Sequence, residues 1–117
     1  MLLNITTRDR EPGILVVELE GRVTLGREST HIEDTVAKAI AGGSRRMVLD
    51  LTGVRYIDSS GLGIIALCFG KMSRAGGRFC VAGATGIVLD VFRMTHLDSV
   101  IPFSPSVDEA CAGMREA

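Results

Sequence analysis

One segment constrains this sequence more than any other. An apolar strand, Met47 to Leu51 with a Thr52-Gly53 turn behind it, leads through Tyr56-Ile57-Asp58-Ser59-Ser60-Gly61-Leu62-Gly63 into a strongly apolar helical run that stops at Gly76-Gly77. A helix placed between two strands is the mark of a crossover, so the strand before it is expected to lie inside the sheet and parallel to a neighbour. Asp58, Ser59 and Ser60 are the residue types that cap helices, because a short side-chain oxygen accepts from the unpaired N–H groups of the first turn. One of them is expected to cap. A hydroxyl left over would then stand at the positive end of a helix and the carboxyl end of a strand, where open α/β sheets place their sites.

The rest of the chain supports the same architecture. Leu2 to Thr7 and Ile14 to Leu19 alternate as strands, with Pro12-Gly13 as turn chemistry between them, and read as an antiparallel hairpin at one side of the sheet. Gly21 to Gly26 reads as a loop. Ile32, Val36, Ala39 and Ile40 then recur at helical spacing up to the Gly42-Gly43 stop. Beyond the central helix, placed at Ser60 to about Ala75, come a strand at Arg78 to Ala82, a helix opened by Thr85 with Val88 and Phe92 in line, and a strand at Val100 to Phe103. Ser106, with Glu109 three residues on, forms a capping box for a last helix. The expectation is an α/β chain of one domain, 1–117, with a mixed sheet of about five strands and about four helices. No repeat, linker or low-complexity stretch interrupts it.

Composition removes several functions. A net charge of -1 gives no positive field to displace the counterions of a nucleic acid, so direct DNA or RNA binding is not expected. No apolar run is long enough to span a bilayer, and Arg8, Asp9, Arg10 and Glu11 stand where a signal peptide needs apolar residues. A cytoplasmic protein without membrane insertion is therefore expected. Cys68, Cys80 and Cys111 are widely spaced and read as small buried hydrophobes. His31 and His96 are isolated, so neither a metal site nor a cofactor is expected.

The central helix carries two faces. At about 100° per residue, Leu62, Ile64, Ile65, Cys68, Phe69 and Met72 form a core stripe, opposed by Gly63, Ala66, Leu67, Gly70, Lys71, Ser73 and Arg74. A solvated face usually carries strong helix formers, and each glycine costs up to about 1 kcal/mol against Ala. Two readings follow: the bare strip, with Leu67 as its apolar point, is where a partner docks, or the glycines fit against a neighbouring loop.

The serine pair also has competing readings. As a catalytic nucleophile it would need a base and an orienting group, and the local sequence supplies only Asp58, without a Gly-x-Ser-x-Gly elbow. Capping alone would account for both serines structurally. As a phosphorylation switch a serine needs only exposure, a kinase and a partner that covers it. A phosphate near -2 is tolerated at a helix N-terminus, so the domain stays folded while an interface closing over the site does not survive.

Val48-Leu49-Asp50-Leu51 followed by Tyr56-Ile57-Asp58-Ser59-Ser60-Gly61-Leu62-Gly63 resembles the STAS-domain family, in particular the bacterial anti-sigma factor antagonists. The likeness extends to Leu15 through Gly21 and to the Val-x-x-x-Phe spacing within Val88 to Met94, covering about Ile14 to Ala110. The resemblance implies that Ser59 is phosphorylated by an anti-sigma factor serine kinase and restored by a protein phosphatase. It also implies that the unmodified form binds that kinase and so frees a sigma factor, regulating transcription. The chain itself would then be no enzyme, and ATP would belong to its partner. The partner-binding residues expected around Ser59 are Asp58, Ser60, Gly61, Gly63, Leu67, Gly70 and Thr24. Two departures stand out: Arg22-Val23-Thr24-Leu25 occupies a stretch where the family often has an Asp, so Thr24 offers a hydroxyl without charge, and His96 replaces a common Gly. The alternative implied by the family is a scaffold or accessory role without phosphorylation, as in stressosomes or lipid-transport complexes. No oligomeric state is implied.

Overall fold

The structure is a computed structural model that describes residues 3–115. Leu2, the expected start of the first strand, lies outside the described residues. The elements run β1 (Leu3–Arg10), β2 (Ile14–Val23), α1 (Arg27–Ala41), β3 (Arg46–Ile57), α2 (Ser59–Arg74), β4 (Arg78–Ala82), α3 (Gly86–Met94), β5 (Phe103–Ser104) and α4 (Val107–Arg115). They build one mixed five-stranded sheet in the order β1-β2-β3-β4-β5, with β1 antiparallel to β2 and every later pairing parallel.

That sequential order decides where the helices go. Right-handed crossovers that always step to the next strand leave their helices on the same face. Ile32 and Val36 of α1, Leu62, Ile65, Cys68 and Met72 of α2, and Val88 and Phe92 of α3 accordingly share one core with Val17, Leu19, Met47, Leu49 and Val81. The reverse face is left to α4, whose Ala110, Cys111 and Met114 cover Ile14, Val16, Val48, Cys80 and Ala82. Met47 to Leu51 is buried throughout, as a strand clad on both faces must be.

Several boundaries differ from the sequence reading. The hairpin is longer, because Arg8 pairs with Glu18 at 2.9 Å and Arg10 with Asp108 at 3.0 Å, so charged residues continue the strands instead of ending them. The expected loop at Gly21 begins only after Val23. Thr52-Gly53 is no turn: β3 passes through it with two bulges, since Glu18 faces Asp50 but Glu20 faces Gly53, and Gly21 faces Val54 but Arg22 faces Tyr56. The carboxylate of Asp50 accepts from the backbone N–H (3.0 Å) and hydroxyl (2.6 Å) of Thr52, giving the first bulge its local bonds.

Val100 to Phe103 is mostly not strand. Leu97–Ser99 form a 3-10 turn whose Leu97 carbonyl accepts from Ile101 N–H at 2.8 Å, and pairing with β4 is confined to Phe103 and Ser104. His96 opens that turn at φ 61, the left-handed conformation glycine favours, so the local turn is made by a residue with a side chain. Thr85 occupies the N-cap position of α3 without a side-chain cap bond. Ser106 does cap α4: its hydroxyl accepts from Glu109 N–H at 3.2 Å and donates to the Glu109 carboxylate at 3.4 Å.

Candidate functional site

The site begins with how β3 hands over to α2. The Asp58 N–H donates to the carbonyl of Val23 at 3.2 Å, tying the end of β3 to the end of β2. The Asp58 carboxylate accepts from the N–H of Gly61 at 2.8 Å, and its carbonyl accepts the first helical bond, from Leu62, at 2.9 Å. Asp58 is therefore the N-cap, and α2 starts one residue earlier than expected, at Ser59. Neither serine is consumed by capping. Ser59 is exposed on the first helical residue and Ser60 is half-buried behind it.

The first turn of α2 contains no acidic side chain, whereas Lys71 and Arg74 occupy its last turn. The positive pole beside Ser59 thus has the Asp58 carboxylate as its cap, already engaged with Gly61. A phosphate on the Ser59 hydroxyl would meet free N–H groups rather than a fold it must break.

Gly61 has a different place from the one expected. It is buried, and a Cβ there would run into the Val23 carbonyl and lie 2.9 Å from the Ile57 side chain. It seats the helix start against β2. Thr24 follows Val23 directly and is thereby brought alongside the Asp58 loop. Its carbonyl accepts from the hydroxyl of the buried Ser29, which anchors the loop to α1.

Gly63 and Gly70 face outward. A Cβ at Gly63 meets nothing within 4 Å, and one at Gly70 meets only the Arg74 guanidinium of the same helix, at 3.3 Å. The reading in which the glycines make room for a neighbouring loop therefore fails. Leu67 keeps 50% of its surface exposed, while Lys71 reaches Glu33 of α1 at 3.8 Å along one margin of the strip. Ile64 and Phe69, expected in the core stripe, are half-buried, with Phe69 edge-on to Phe79.

Sequence reasoning passed over Leu25 and Ile87, 80% and 66% exposed in the loops or first turn following β2 and β4. Their signal was an apolar side chain beside glycine in a segment with no core to enter. His31 lines a hollow between β1 and α1, and His96 sits in the turn after α3, so neither histidine is placed beside the serines. Among the described residues, no group of three His, Cys, Asp or Glu side chains is placed to hold a metal, and no helix is long and apolar enough to cross a membrane.

Comparison with known proteins adds a family. The STAS domain family model matches residues 6–110. BtrV of Bordetella bronchiseptica, assigned as an anti-sigma factor antagonist, is 29% identical over 111 residues, covering 95% of each chain. Among solved structures, an anti-sigma factor antagonist from Mycobacterium paratuberculosis superimposes with a TM-score of 0.84 at 24% identity, over 97% of this chain and 94% of that one. The Bacillus cell fate determinant SpoIIAA, in its phosphorylated form, superimposes with a TM-score of 0.73 at 17% identity, over 95% of this chain and 99% of that one.

Proposed function

The chain belongs to the STAS domain family, and from that premise we propose that it is an anti-sigma factor antagonist switched by phosphorylation of Ser59. In its unmodified state it binds a cytoplasmic anti-sigma factor with serine kinase activity, which releases a sigma factor to transcription. The kinase uses ATP to modify Ser59, and a protein phosphatase resets it. The domain catalyses nothing; its output is binding. The names carried by BtrV and the M. paratuberculosis protein support the antagonist role, and the phosphorylated form of SpoIIAA supports a phosphate on this fold.

The observation that carries the reading is the division of labour at the helix start. Asp58 alone caps, so the Ser59 hydroxyl is exposed at the positive end of α2, beside a strip left bare at Gly63 and Gly70. A partner lying along that strip, with Leu67, Leu25 and Ile87 as apolar contacts, closes over Ser59. Abolishing a complex a thousandfold takes about 4 kcal/mol, and an unpaired dianion trapped in an interface costs several kcal/mol.

Incubating the protein with its kinase-fold partner and ATP, followed by mass spectrometry, tests this. Phosphate is expected on Ser59 alone; Ser59→Ala stays unmodified and still binds, and Ser59→Glu binds more weakly. Phosphate confined to Ser60 refutes the acceptor. Full affinity of the phosphorylated form refutes the switch and leaves the scaffold role.

A further inference from the structure

The sheet has two edges, and they are unlike. At one end β5 is only two residues long. At the other, β1 runs for eight residues and, among the described residues, no strand lies beyond it. Natural edge strands are blunted by charge, proline or brevity. Here charge is confined to the end of the strand, at Arg8, Asp9 and Arg10, while Leu3-Asn4-Ile5-Thr6-Thr7 is uncharged. Arg8 and Arg10 are moreover drawn to Glu18 and Asp108 of their own chain.

The helices cover this edge only in part. Between β1 and α1 lies an open hollow of about 770 Å³, floored by Leu3, Ile5 and Leu15 and walled by His31, Asp34 and Lys38. Ile5 is left half-buried, although it lies on the helix-covered side of the sheet.

We propose that β1 is an interface between two copies of this chain, paired antiparallel about Ile5 into a continuous ten-stranded sheet. The sequence of the edge selects this occupant. A two-fold axis through the sheet keeps side chains on their own face and opposes residues of equal parity. Centred on Ile5, it sets Ile5 against Ile5, Leu3 against Thr7 and Asn4 against Thr6, so no charge enters the paired segment. Centred on Thr6 it would oppose Leu3 to Asp9, on Thr7 it would oppose Ile5 to Asp9, and on Arg8 it would oppose like charges. The partner copy's Ile5 and Leu3 then fill the hollow beside α1. The Ser59 loop, above β3, stays free on both copies. Five residues a side give a contact below the ~800 Å² per partner of a standard interface, so the dimer is weak and reversible.

Sedimentation equilibrium over a concentration series reads this directly. The wild-type chain is expected to move from 12.5 kDa toward twice that mass as concentration rises. Ile5→Lys and Ile5→Glu, each folded by far-UV circular dichroism, are expected to remain monomeric alone and to associate when mixed, because only the mixture places opposite charges at the two-fold axis. Should either variant fail to fold, Ile5→Cys under oxidised glutathione is expected to give a reducible, disulfide-linked dimer. A wild-type chain monomeric up to about half a millimolar, a dimer that persists in a folded Ile5→Lys variant, or an Ile5→Cys chain that does not cross-link overturns the interface.

Discussion

Gly61 lies directly against the carbonyl of Val23, with no space for a Cβ, while Gly63, two residues along the same helix, looks into open space. The two glycines therefore predict opposite signs. Gly61→Ala must push the start of α2 off β2 and is expected to lower the free energy of unfolding by about 1–3 kcal/mol. Gly63→Ala relieves backbone entropy without a clash and is expected to raise it by up to about 1 kcal/mol. Urea denaturation of both variants checks the pair.

The Asp58 side chain satisfies the Gly61 N–H at the helix start. Asp58→Ala is expected to cost about 1 kcal/mol, with Asp58→Asn close to wild type because the amide oxygen still accepts. Hydrogen exchange localises the effect: the Gly61 amide, bonded to Asp58 at 2.8 Å, should exchange faster in the alanine variant only.

The outward glycines set the clearest test of docking. Gly63→Gln combined with Gly70→Gln raises a ridge along a surface that is now flat, displacing only the Arg74 guanidinium. Loss of partner binding with an unchanged far-UV spectrum is expected. Unchanged affinity, measured by isothermal titration calorimetry, places the partner elsewhere.

Cys68 makes stability fall in alkali. Burial, with the Glu33 carboxylate adding to it and Lys71 opposing, pushes its thiol from the ordinary 9.0 up to about 12. The folded state holds the neutral thiol where the unfolded chain would ionise. The contribution is complete below pH 9.0 and is lost as pH rises toward about 12, at up to about 1.4 kcal/mol per pH unit. Chemical denaturation across that range should show a shallower slope for Cys68→Ala than for wild type.

Periodic segments were legible in the residues, and interrupted ones were not. Leu62, Ile65, Cys68 and Met72 face the core as their spacing demands, and Ser106 with Glu109 caps α4. Thr52-Gly53 misled because glycine next to a broken alternation is ordinary turn chemistry, whereas here neighbouring strands hold the chain extended and absorb the irregularity as bulges. Val100 misled because β-branched side chains favour strands, yet the carbonyl of Leu97 captures the backbone at Val100 and Ile101 in a turn. At the site, residue types named the junction but could not say which of three capping residues would cap. That depended on the tie between Asp58 and Val23, a contact between distant segments. The burial of Gly61 was hidden for the same reason.

Each of the two bulges of β3 takes up one residue that β2 does not match. After Leu51, the side chains turned toward the helices are Val54 and Ile57, each three positions on instead of two, so after each bulge β3 is again in phase with β2, at Gly21 and then at Val23. Removing one residue between Thr52 and Tyr56 is expected to erase one bulge and leave Ile57 beside Val23, so that Asp58 and Ser59 are still delivered to the same place. Length variation among natural relatives in this stretch should accordingly come in single steps, each one bulge gained or lost, with the helix start unmoved.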